Sequence, residues 1–158
     1  MGFNNSGYPG AFTKPVQNII KSLISSPTLN LYSGSSRIGD VRVDIEHSNA
    51  TDNLDVDEFI KADSRDWNWV ILDPPYQITR TDAKLKGYGI KGAVSNCVQR
   101  RRPLKMYFSH HAENILWLDQ CAPMVKGFRR ERLWLLLPGG FHNVRVLSWL
   151  KREMKPLL

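Results

Sequence analysis

The chain has 158 residues, 22 Lys and Arg against 15 Asp and Glu, and a net charge of +7 with histidine neutral. That length fits one domain, and 42% hydrophobic with 23% charged residues excludes a disordered, collagen-like or disulfide-dense chain. The basic excess points to an anionic partner, most often nucleic acid.

Residues 1–11 read as a flexible tail, and 12–158 as a single domain. Val16, Ile19, Ile20, Leu23 and Ile24 recur at helical spacing over 14–24, with Pro15 near the start and Ser25-Ser26-Pro27 at the end. Residues 29–32 predict a buried strand stopped by Ser33-Gly34-Ser35-Ser36. Residues 41–45 alternate like a second strand. A short helix over 55–62 carries Phe59 and Ile60. Residues 67–72 (Trp-Asn-Trp-Val-Ile-Leu) are the most strand-like run, stopped sharply by Asp73-Pro74-Pro75. Residues 77–105 are polar, basic and glycine-containing and are expected as a loop. Residues 114–118 predict another strand, and 132–137 and 144–147 flank Pro138-Gly139-Gly140 as a terminal hairpin. Strands alternating with short helices argue for an α/β sheet, mostly parallel, with an antiparallel hairpin at its edge.

Cys97 and Cys121 have no zinc-motif spacing and read as reduced thiols of a cytoplasmic protein. No apolar run reaches the roughly 18 residues of a membrane span, so no membrane partner is expected. Adjacent His110 and His111 point in different directions on any regular element and have no partner cluster, so a structural role is expected and no metal site.

The residues that carry chemistry are Asp73-Pro74-Pro75-Tyr76, directly after an apolar strand. Strand ends are where α/β sheets place their sites. An exocyclic amino nitrogen on a base is a poor nucleophile, because its lone pair is delocalised into the ring. Two acceptors gripping both N–H bonds favour a pyramidal nitrogen with its lone pair available. The Asp73 carboxylate and the Pro74 carbonyl can be those acceptors. Two prolines keep the loop rigid, and Tyr76 offers a face on which an extruded base can stack.

The run Leu72-Asp73-Pro74-Pro75-Tyr76 resembles the catalytic motif of amino-directed, S-adenosylmethionine-dependent DNA methyltransferases. Other landmarks follow in the family's order. Phe12-Thr13-Lys14-Pro15 resembles the N-terminal cofactor-binding segment, and the run 31–39, with Tyr32, Ser33, Gly34 and Ser35, a degenerate form of the glycine loop. Val43-Asp44-Ile45 resembles the strand end whose acid holds the cofactor ribose. Asp55 matches the acid near the cofactor's adenine, or is a helix N-cap. Residues 133–150 are similar to the closing region of small phage, archaeal-virus and prokaryotic members. The resemblance implies a minimal Rossmann-like methyltransferase sheet and transfer of a methyl group from S-adenosylmethionine to N6 of adenine in DNA. It leaves open cytosine-N4, an RNA base or a glutamine amide in the same site, and a non-catalytic nucleic-acid-binding module.

One departure from the family concerns the first crossover. Only seven residues, Ser35 to Val41, separate Gly34 from Arg42, whereas a parallel crossover normally needs a dozen or more. The first crossover helix is therefore expected to be missing or reduced to a turn, unless the two strands pair differently.

Charge divides at the motif. Residues 1–76 hold 6 Lys and Arg against 10 Asp and Glu, a net of −4, and 77–158 hold 16 against 5, a net of +11. Arg80, Lys84, Lys86, Lys91, Arg100, Arg101 and Arg102 are expected to pair with phosphates flanking an extruded base, DNA being favoured over RNA. Family members with a separate target-recognition domain are longer, which leaves a monomer or a homodimer as the expected working form.

Overall fold

The computed structural model describes residues 12–75, 98–137 and 144–153. The expected tail over 1–11, Tyr76, the basic residues Arg80, Lys84, Lys86 and Lys91, and the turn at Pro138-Gly139-Gly140 lie outside the described residues.

Among the described residues, six strands form one mixed sheet in the order β2-β1-β3-β4-β6-β5. β1 (Thr28–Leu31), β2 (Val41–Val43), β3 (Trp67–Leu72) and β4 (Ala112–Asp119) are mutually parallel. β6 (Arg145–Arg152) runs antiparallel between β4 and β5 (Phe128–Leu136). The closing hairpin is therefore present at the sheet edge, with both strands longer than the sequence pattern suggested. The helices among the described residues are α1 (Lys14–Leu23), α2 (Val56–Ala62) and α3 (Val98–His111).

Successive residues of a strand face opposite sides, and the core divides accordingly. Trp69, Ile71, Leu116, Leu118 and Leu147 pack with Phe12, Val16 and Ile20, which brings α1 onto one face. Leu31, Val70, Leu72, Ile115 and Trp117 pack with Phe59, Leu104 and Phe108, which brings α2 and α3 onto the other. A sheet covered on both faces explains why β3 reads as a nearly continuous apolar run, and why all four residues of β1 are buried, Thr28 and Asn30 included.

The first crossover is resolved in favour of a shortened connection. β1 and β2 are parallel, with Leu29 opposite Val41 and Leu31 opposite Val43, and residues 32–40 between them contain no helix. The physical reason is strand length. With four and three residues, these strands require a return of only about 10–13 Å, which a turn can cover. β2 is also shorter than the expected 41–45, because Asp44 leaves the ladder and Ile45 is exposed.

The expected loop over 77–105 is corrected in its last part: residues 98–105 open α3. Pro103 lies inside that helix and removes one backbone donor. Leu104, Tyr107 and Phe108 nevertheless fall on one helical face and are all buried, so tertiary packing outweighs local propensity.

A polar clamp closes the amino-terminal end of β3. The Asp63 carboxylate accepts hydrogen bonds from Tyr107 Oη (2.5 Å), Trp67 Nε1 (3.1 Å) and Arg65 Nε (2.5 Å). Burial pushes the Asp63 carboxyl up, but the Tyr107, Arg65 and Trp67 hydrogen bonds and the Arg65 charge outweigh it and hold the group below its ordinary value. Burial and the adjacent carboxylate push the Tyr107 phenol well above its own.

Candidate functional site

Chain order runs outward in opposite directions from β1 and β3, which are neighbours. The crevice outside their carboxyl ends is thus a topological switch point, where open α/β sheets bind ligands. The loops leaving these two strands are the glycine loop and Asp73-Pro74-Pro75.

Directly after β1 the backbone turns sharply. Tyr32 has φ 56° and Gly34 φ 51°. Glycine takes that conformation without penalty, but for Tyr32 it costs about 1–2 kcal/mol. Such strain collects at ligand-binding loops. Ser33, between them, donates its N–H to the Val43 carbonyl (3.0 Å) and is fully buried. Its Oγ has no hydrogen-bond partner among the described residues, the kind of orphan that a bound ligand satisfies. Ser36 stands where a second glycine would be expected. Its Oγ accepts from the Ile38 N–H (3.2 Å) and the Asn30 side chain (3.4 Å), so it braces the loop internally.

Asp44 lies at the end of β2, where the sequence placed it, and is 8% exposed. Its Oδ2 accepts the Gly34 N–H (2.9 Å), and Oδ1 accepts those of Glu46 (3.2 Å) and His47 (3.1 Å). This carboxylate ties the glycine loop to the turn after β2. Asp55 is the N-cap of α2 and accepts the Asp57 N–H at 2.8 Å. Its capping role is thereby settled, and it offers a carboxylate already engaged with backbone.

A cavity of about 450 Å³ borders the glycine loop on the α1 side, lined among others by Phe12, Gln17, Lys21, Ser35 and Arg37. It brings together two of the expected cofactor residues, Phe12 and Ser35. Lys14 is exposed in the first turn of α1 and is not part of its lining.

At the end of β3, Asp73 is buried with no side-chain exposure. Its Oδ1 receives a 2.5 Å hydrogen bond from Nη2 of Arg145, the first residue of β6. Pro74 is buried and Pro75 half-buried. A buried carboxylate requires a counter-charge, and Arg145 supplies it from the antiparallel strand that enters the same end of the sheet. Arg145 was not among the expected site residues; a lone charge between Val144 and Val146 was the available signal.

A second pair sits at the end of β4. Asp119 is fully buried and accepts from Arg101 Nη2 (2.9 Å) and Trp117 Nε1 (3.1 Å). Acids therefore stand at the carboxyl ends of β2, β3 and β4. The arginine run 100–102 is also divided: Arg101 turns inward to Asp119, whereas Arg102 is exposed. The Arg100 side chain lies outside the described residues.

Comparison with protein-family models gives no match, and comparison with curated protein sequences gives none.

Proposed function

We propose that this chain is an S-adenosylmethionine-dependent methyltransferase acting on the exocyclic amino group, N6, of adenine in DNA. The observation that carries the reading is the buried Asp73 carboxylate followed by two prolines, at the carboxyl end of β3 and beside a strained glycine loop at the switch point. The strand order with its antiparallel final pair suits the minimal Rossmann-like methyltransferase sheet that the motif order implies.

The residues fit the cofactor in chemistry. Ser33 Oγ is a buried hydroxyl with no partner among the described residues. The cavity beside Phe12 and Ser35 is of the size small ligands occupy. Ser33, Gly34, Ser35 and Phe12 would hold the donor, with Asp44 ordering the loop around it. S-adenosylmethionine, when bound, supplies a methyl group on a positively charged sulfur.

The chain's own part is positioning. Asp73 accepts one N–H of the target amine and the Pro74 carbonyl the other, which frees the nitrogen lone pair for attack on the methyl carbon. The C–S bond breaks as the N–C bond forms, and one amine proton leaves to solvent or base. Arg145 fixes the orientation of the Asp73 carboxylate through its 2.5 Å contact. The excess of +11 over residues 77–158 suits a polyanionic substrate.

Methyl transfer from radiolabelled S-adenosylmethionine to DNA, RNA and protein, measured in parallel, tests the reading. Label is expected in DNA, and Asp73→Ala is expected to reduce it by a factor of about 10²–10³. Full activity in Asp73→Ala would remove Asp73 from the chemistry, and label in RNA or protein alone would change the substrate.

A further inference from the structure

The side of α3 turned from the core carries a set of cations that the chemistry at Asp73 does not use. Arg102, Lys105 and Ser109 fall at helical spacing, so they form one stripe that runs roughly 10 Å along the helix. Lys126, from the segment joining β4 to β5, faces that stripe. Together with Arg101 and Met106 they line a groove of about 400 Å³. No acidic residue among the described ones contributes to the lining. Arg102, Lys105 and Lys126 form no salt bridge among the described residues, whereas Arg101 is bound to Asp119. Met106 is 56% exposed and gives the groove an apolar strip.

Three features define the occupant. Arg102 and Lys105, one turn apart on α3, and Lys126 opposite them line one elongated groove, which suits an extended polyanion. Arg101 at the upper end of the groove is held by Asp119 at the carboxyl end of β4, so the groove starts at the same end of the sheet as Asp73 and runs away from it. Apart from Arg101, its cations form no salt bridge among the described residues, so none has to be displaced.

We infer that this groove seats the phosphodiester backbone of the strand that carries the target base, with Arg102, Lys105 and Lys126 each contacting a phosphate. Ser109 adds a hydroxyl, and Met106 lies against the sugars. The inference rests on the nucleic-acid half of the proposed function and not on methyl transfer. These contacts position the strand and read no base. Arg101 is excluded from the interface because its guanidinium holds Asp119.

Fluorescence anisotropy with a labelled single-stranded oligodeoxynucleotide, over a series of salt concentrations and without S-adenosylmethionine, is the test. Each phosphate contact contributes about 0.7 to the slope of log K against log salt for single strands. Arg102→Gln, Lys105→Gln and Lys126→Gln are each expected to lower the slope by about 0.7, and the triple variant by about 2. Losses should be equal across oligonucleotides of different sequence. The charge-retaining Arg102→Lys and Lys105→Arg should restore the slope. Lys61→Gln, an exposed change on α2 with the same loss of charge, should leave it unaltered. A wild-type slope in the triple variant would overturn the groove while leaving nucleic-acid binding intact. Absence of any oligonucleotide binding by the wild-type chain would overturn both, with methyl transfer at Asp73 still open to separate measurement. Equal competition by polyglutamate would assign the groove to an acidic protein partner and overturn the inference.

Discussion

Arg145 and Asp73 are 72 positions apart in sequence and meet at 2.5 Å at one end of the sheet. The contact joins the closing hairpin to the loop proposed to grip the substrate amine. Removing one member of a buried pair leaves the other charge uncompensated, at about 3–5 kcal/mol. Arg145→Met is therefore expected to destabilise the chain by about that amount in urea unfolding. Arg145→Met combined with Asp73→Asn should recover much of the loss. Strict additivity in the double variant would show that the contact carries no coupling.

Asp44 supports a prediction that separates cofactor binding from catalysis. Its three backbone donors hold the glycine loop against the turn after β2. Asp44→Asn would turn an amide N–H₂ toward one of those donors, at a cost of about 1–3 kcal/mol for the unsatisfied groups. S-adenosylmethionine affinity, measured by calorimetry, should fall more than folding stability does. Unchanged affinity would place the cofactor away from this loop.

Neighbouring arginines should behave in opposite ways. Arg101→Met strips the partner from a fully buried Asp119 and should lower the unfolding midpoint markedly. Arg102→Gln, at an exposed position, should leave the midpoint unchanged within about 0.5 kcal/mol. Thermal and urea unfolding of the two variants side by side decides the matter.

The clamp at the other end of the sheet has a pH signature. The Asp63 carboxyl titrates below its ordinary value of 3.8 in the folded chain. The folded state therefore binds fewer protons than the unfolded state near that pH. Its contribution to stability is complete above about pH 4 and is lost as pH falls through the lowered value. Wild type should exceed Asp63→Asn in stability at neutral pH, and the gap should narrow below pH 3.8. Tyr107→Phe should cost about 1–3 kcal/mol, because the Asp63 and Trp67 groups lose their shared partner. A gap that stays constant down to pH 2 would contradict the assignment.

How far the sequence revealed the molecule differs by element. β3 was legible to the residue, because its apolar run ends abruptly at two prolines. Asp73 was placed at its strand end for the same reason, whereas Asp44 fell inside the expected strand 41–45 and only its motif likeness marked it as a strand-end acid. α3 was hidden, since Pro103 and the arginine run break the local pattern, and only the burial of Leu104, Tyr107 and Phe108 makes the helix worthwhile. The inward turn of Arg101 could not be distinguished from the outward turn of Arg102, because direction depends on a partner 18 positions away. The lone charge of Arg145 between two valines did not reveal its partner for a similar reason: an alternating hairpin strand places charges toward solvent by default, and the buried acid that reverses this lies in another part of the chain.

The helix-free connection between β1 and β2 also shapes the molecule's local stability. β2 contributes three residues to the ladder, and on its outer side it meets, among the described residues, only residues 51–52, through one bridge between Val43 and Asp52, whereas β3 and β4 lie in the interior of the sheet. Without a crossover helix packed over it, this margin should open to solvent at a lower free energy than the central strands. Amide exchange should be fast at Val41–Val43 and slow at Ile71 and Leu116. A ligand held by the glycine loop, which Asp44 ties to the end of β2, would then lend the sheet margin the support that a crossover helix would otherwise give, and its binding should appear as slowed exchange there first.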